Sequence, residues 1–184
     1  MTNKYDTAWP RFAAGLWDGL ILLPLTIITV LIQHHIPSPV LIVWYFLYFY
    51  SRPVYTIWMH GKYGQTIGKR YSGVIVLNVN EGRIMNYKEA ILRELPQLIM
   101  ILFYLIFQIY FLFAADNNIS QSLIILYTIL SYTNLFWFLT EIITMLGNDK
   151  RRALHDYLAN SVVIRKEEFI AGNSLNENGR EEWN

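Results

Sequence analysis

Residues 12–32 read FAAGLWDGLILLPLTIITVLI, an apolar run whose only charged side chain is Asp18. A helix rises ~1.5 Å per residue, so about 20 such residues cross the roughly 30 Å of hydrocarbon in a bilayer. Outward from this run, three more of the same kind follow, at 40–59 (VLIVWYFLYFYSRPVYTIWM), 95–115 and 122–146. The first two are separated by Gln33-His34-His35-Ile36-Pro37-Ser38-Pro39, a tight turn. The third ends at Asp116-Asn117-Asn118 and the fourth at Gly147-Asn148-Asp149-Lys150. The second departs from the pattern in holding Arg52 and Pro53.

Of the 184 residues, 54% are hydrophobic and 16% charged, where a soluble domain carries roughly a quarter charged. The net charge of +1 hides how the charges are placed. No Lys or Arg lies between the first and second runs or between the third and fourth. The cations fall before the first run, between the second and third, and after the fourth, with Arg52 the exception. Excess Lys and Arg marks cytoplasmic segments, so the expected fold is an all-α membrane protein of four transmembrane helices with both termini cytoplasmic. The absence of Cys excludes disulfides, thiolate metal sites and thiol nucleophiles. Residues 1–10 carry Lys4, Asp6 and Trp9 and lack a small-residue cleavage pattern, so the mature chain is expected to begin at Met1.

The cytoplasmic loop, 60–94, has its own pattern. Val74-Ile75-Val76-Leu77-Asn78-Val79 is rich in β-branched residues, Asn80-Glu81-Gly82-Arg83 reads as a turn, and Ile84 resumes the apolar run. Together they predict a short β-hairpin. Asn86 and Glu89 form a capping-box pattern that opens a short interfacial helix, expected to bend into the third span at Pro96. Residues 167–184 are polar and expected to be a disordered tail, leaving 8–166 as the membrane domain.

An ionisable group inside a span is costly unless paired or hydrated, so Asp18, Arg52 and Glu141 are the candidate ion-binding or transport residues. Counted along their helices, all three lie at similar depth near the cytoplasmic end. A pair between Arg52 and one of the two carboxylates is expected, with the other left to take a proton or a cation; spacing does not say which. Gly15 and Gly19 form a GxxxG pair that would let a neighbouring helix approach closely. The plain alternative is that these charges form a structural pair and helix-end anchors.

Other chemistries fail on geometry. Gly64-Gln65-Thr66-Ile67-Gly68-Lys69-Arg70 lacks the spacing of a phosphate-binding P-loop and has no Ser or Thr after the Lys. His34 and His35 are adjacent, while His60 and His155 are isolated, so no metal site is expected. No nucleophile elbow is present. Neither a catalytic centre nor a cofactor is expected, and no nucleic-acid partner. Lys69-Arg70 and Lys150-Arg151-Arg152 suit anionic lipid head groups.

Four segments in order carry a family resemblance: Arg11-Phe12-Ala13-Ala14-Gly15-Leu16-Trp17-Asp18, Gly64 to Arg70, Leu92-Arg93-Glu94, and Arg152-Ala153-Leu154-His155-Asp156. The chain resembles the RDD family of prokaryotic membrane proteins over about 8–165. That family is named for one Arg and two Asp, which correspond here to Arg11, Asp18 and Asp156. The matching positions, Arg11, Asp18, Gly64, Gln65, Gly68, Lys69, Arg70, Arg93, Arg152, His155 and Asp156, form its motif cluster. Arg52 and Glu141 lie outside it. The resemblance implies residence in the prokaryotic cytoplasmic (inner) membrane and a presumed role in transport, in some members sodium/proton antiport. The expected function is transport of a small ion or solute, with Na+ or H+ as candidate ions, membrane lipid as surroundings and a homo-oligomer as working form. The alternative is a non-transporting assembly or accessory protein that binds a partner through its cytoplasmic loop.

Overall fold

The computed structural model describes residues 3–113 and 121–171. Four long helices, α1 (Ala8–Ile32), α2 (Ser38–Tyr63), α4 (Tyr87–Phe113) and α5 (Gln121–Leu146), make up most of it. The short elements α3 (Ile67–Tyr71), β1 (Val74–Asn78), α6 (Leu154–Leu158) and β2 (Ser161–Arg165) gather into a cap at one end of the long helices. Local chemistry sets the boundaries. Pro39 lies in the first turn of α2 and Gly64 ends it at φ 68°, donating its N–H to the His60 carbonyl at 2.9 Å. That left-handed geometry suits glycine because it has no Cβ. The predicted capping box opens α4: Glu89 N–H donates to Asn86 Oδ1 at 2.9 Å, and Asn86 N–H to Glu89 Oε2 at 2.8 Å.

Two expectations for the loop need correction. The strand at 74–78 forms, but its partner is not the segment at Ile84, which makes a single bridge to Leu77. It pairs antiparallel with β2, Val76 opposite Val163 and Leu77 opposite Val162. Both faces of β1 are buried: Val74 and Val76 pack with Met85, Ala90 and Ala159, while Ile75 and Leu77 pack with Tyr5, Ile84 and Phe169. A strand buried on both sides is best paired by another with consecutive apolar residues, which Val162-Val163-Ile164 supplies and the lone Ile84 does not. The separate interfacial helix is also absent, since α4 runs unbroken from Tyr87 through Pro96 to Phe113.

The sheet draws both chain ends inward. Arg165 N–H donates to the Lys4 carbonyl at 3.0 Å, and Phe169, assigned to the tail by sequence, packs on the sheet. Positions 114–115, the turn expected at Asp116-Asn117-Asn118, and 172–184 lie outside the described residues.

Burial is distributed in an unusual way. The most deeply buried apolar residues are in the cap, with Val74, Val76, Leu77, Met85, Val162 and Val163 at 0% exposure. The long helices turn their apolar side chains outward, as Phe136 (72%) and Ile143 (69%) illustrate. Outward apolar surface on this scale requires a hydrocarbon solvent, and helices meet that requirement because each satisfies its own backbone hydrogen bonds. α1, α4 and α5 are long and apolar enough to cross a membrane. At 26 residues α2 is as long, but its tyrosines, Arg52 and Lys62 make it less apolar.

Candidate functional site

Asp18 is buried nearly three turns into α1, and both oxygens of its carboxylate are hydrogen-bonded within the protein. Oδ1 accepts from Tyr55 Oη and from the Gly68 N–H, each at 2.8 Å, and Oδ2 accepts from Thr66 Oγ1 at 2.6 Å. The Ile67 N–H donates to Tyr55 Oη at 2.9 Å and the Lys69 N–H to Thr66 Oγ1 at 3.2 Å. The unpaired amides at the start of α3 are thus satisfied around a carboxylate, which the helix dipole also favours. The loop Gly64 to Arg70 thus presents one amide, that of Gly68, to a carboxylate of the chain itself.

Asp156, on α6, is fully buried and anchors the second cluster. Its Oδ2 pairs with Arg11 Nη1 at 2.7 Å and accepts from the Ala153 N–H at 3.0 Å. Its Oδ1 pairs with Arg93 Nη2 at 2.9 Å and accepts from Ser161 Oγ at 3.2 Å. Burial pushes the Asp156 carboxyl upward, but Arg11 and Arg93 outweigh it and hold it well below the usual carboxylate range.

Arg93 Nη2 also lies 2.7 Å from His155 Nε2. A guanidinium can only donate, so Nε2 is the acceptor and the ring proton sits on Nδ1, which faces Glu141 Oε2. Glu141 Oε1 accepts from the His155 N–H at 3.0 Å. Arg152 ties α6 to β2, with Nε on the Ser161 carbonyl at 2.9 Å and its guanidinium 4.1 Å over the Tyr157 ring.

Between these clusters lies a cavity of about 610 Å³, walled by α1, α2, α4 and α5; Asp18, Arg52, Lys69, Arg93, Glu141 and His155 all reach it. The three charges expected in one layer do line one space, but the expected pair does not form. Asp18 is held by Tyr55, Thr66 and Gly68, and Glu141 by His155, while Arg52 makes no ion pair among the described residues. Gly15 and Gly19 do not serve close packing within the chain either, as an added Cβ at each meets nothing within 4 Å. The close approach is at Gly68, which lies against the Ala14 carbonyl oxygen.

The RDD family profile matches residues 5–160. The chain belongs to the RDD family. No curated protein and no solved structure matches it. It is an RDD membrane protein with several apolar helices.

Three-dimensional contacts bring most of the RDD motif positions into the two clusters: Asp18, Gly68 and Lys69 around α3, and Arg11, Arg93, Arg152, His155 and Asp156 around α6. Gly64 is the left-handed stop of α2, Gln65 lies beside it, and Arg70 is exposed. Four participants escaped the sequence reading, among them Ser161, which donates to Asp156. Tyr55 read as one aromatic among many. Thr66 could have been found as an N-cap three residues before Lys69. His60, read as isolated, lies with Nε2 2.6 Å from Lys69 Nζ.

Burial pushes the Lys69 ammonium well below its ordinary value of 10.5, and the cations Arg93 and Arg11 add to this against the opposing Asp156 and Glu94. The unfolded chain therefore holds more protons than the folded one between the lowered value and 10.5, so stability rises with pH across that window. Lys69→Met should accordingly raise the Tm in detergent at pH 7, and the gain should shrink as the pH approaches 10. An equal loss of stability at both pH values would show that the ammonium is not penalised by the fold.

Proposed function

We propose that this RDD protein crosses the prokaryotic cytoplasmic membrane four times, with α2 as the fourth span and both termini cytoplasmic, and moves a small ion or solute through the cavity beside its cap. The carrying observation is a space of about 610 Å³ with seven charged side chains in a partly apolar lining, set among helices whose outer faces are apolar. Cavities of a few hundred Å³ suit small ligands, and ionisable groups at membrane depth otherwise cost too much to keep. The proposed topology follows from charge: no Lys or Arg lies in 12–51 or 94–149, so the cations among the described residues, Arg52 apart, sit at or near the cap end.

Glu141 and His155 supply a route for proton exchange. A proton arriving at His155 Nε2 must displace Arg93, which loosens the network around Asp156. Asp18, with three donors on its carboxylate, holds the loop instead of binding the ion. We assign no enzymatic step to the site. Four spans are few for a pathway, so the working form is a homo-oligomer.

In liposomes, the purified protein should dissipate a pH gradient when one of a panel of small ions, Na+ and small anions among them, is offered. Glu141→Gln should reduce that flux at least about tenfold, as expected for loss of a group acting in proton transfer, while the protein stays folded. Unchanged flux in this variant would remove Glu141 from the pathway.

A second reading, an accessory protein that docks a partner on its cap, is favoured by the exposure of Arg70 and of Tyr71 (77%). A co-purifying protein lost in Arg70→Ala, together with no flux for any ion offered, would favour it.

A further inference from the structure

Around the cavity, the four cationic side chains outnumber the three carboxylates. Arg11, Arg52, Lys69 and Arg93 line it. Asp18 and Glu141 are engaged as described, which leaves half-buried Glu94 as the one lining carboxylate without a hydrogen bond among the described residues. Of the cations, Arg93 is consumed by Asp156, His155 and Ser161. Arg11 spends only Nη1. Its Nε and Nη2 are buried with no partner, and its side chain is just 10% exposed. Those two N–H groups point the same way along one edge of the guanidinium, the edge that takes two oxygens of a carboxylate or phosphate. The guanidinium of Arg52, an exposed residue, has no hydrogen bond or ion pair among the described residues, and Lys69 Nζ touches only His60, whose Nδ1 is buried and unpartnered.

We infer that Arg11, Arg52 and Lys69 form a binding site for a small oxyanion, a carboxylate or phosphate group, at the wall of this cavity. An acceptor-only group completes the Arg11 edge, gives Arg52 a partner and compensates the Lys69 ammonium; a metal cation would add to the charge already there. The inference rests on reading the cavity as a solute site and names the class of solute. The same chemistry can arrive from the aqueous side as a free anion or laterally as the head group of an anionic lipid, since α5, one of the walls, has no buried residue of its own.

The test is binding by the full-length protein in detergent and in nanodiscs, read by calorimetry and thermal unfolding. Inorganic phosphate and succinate, titrated against chloride at equal ionic strength, should bind saturably. Arg52→Gln, which removes no side-chain hydrogen bond or ion pair among the described residues, should weaken binding about tenfold, the loss of one charge-assisted hydrogen bond. Arg11→Lys, which keeps the charge but loses the edge, should weaken it similarly. Nanodiscs of phosphatidylglycerol compared with phosphatidylcholine, without phosphate, identify the lipid source: stabilisation by the anionic lipid that Arg52→Gln abolishes supports a head-group site. The inference is overturned if phosphate and succinate act no differently from chloride and the two lipids stabilise equally, or if Arg52→Gln binds as the wild type does. Flux without anion binding would sink this inference alone, and anion binding without flux would sink only the transport reading.

Discussion

Asp156→Asn should cost about 3–5 kcal/mol and leave little folded protein after detergent extraction, because it removes the only carboxylate between two buried guanidinium groups. Arg11 and Arg93 come from α1 and α4, and Asp156 from α6, so one residue joins two long helices to the cap. An amide can still accept from one donor, but it cannot neutralise two cations taken out of water. The effect is electrostatic rather than steric, so the neutral side chain should fail although its shape is nearly unchanged. Its pH dependence has a definite sign. The folded carboxyl is held well below its ordinary 3.8, so the stability it contributes is complete above about pH 4 and is lost only as pH falls through the lowered value. A monodisperse Asp156→Asn protein with a wild-type Tm would show that the Arg11 and Arg93 charges are solvated in some other way.

Gly68→Ala is the second large effect, on the order of 3 kcal/mol. The new methyl would overlap the Ala14 carbonyl oxygen and lie 2.8 Å from Asp18 Cγ. Neither neighbour can yield cheaply: one is helix backbone, and the other is held by Tyr55, Thr66 and the Gly68 N–H itself. Relief requires moving α3 off α1, which lengthens charge-assisted hydrogen bonds to a buried carboxylate while overpacking the contact. Gly15→Ala and Gly19→Ala provide the control, because open space surrounds both and alanine is the better helix former. They should leave the Tm unchanged or slightly raised. Thermal unfolding of the three variants in one detergent decides the matter, and a Gly68→Ala Tm equal to that of Gly15→Ala would place the close contact elsewhere.

These two positions also show where sequence reading reaches its limit. Gly15 and Gly19 have the spacing associated with helix contact, yet that spacing says only that one face is small, not that anything lies against it. Gly68 has no such signature. Its need for a hydrogen side chain comes from α1, which arrives from a point 50 residues earlier in the chain. Arg52 failed in the same way: depth counted along a helix put it level with Asp18 and Glu141, but depth carries no azimuth, and both carboxylates had nearer donors.

By itself, the sequence determined the lipid-facing character of α1, α4 and α5, the boxed start of α4 and the strand at Val74, because each depends on residues within a few positions of one another. Tertiary structure alone decided that β1 pairs with β2, that Asp18 caps α3 and that Asp156 joins Arg11 to Arg93. Those choices depend on which distant groups compete for a buried strand edge or carboxylate, and that competition is settled by proximity in space.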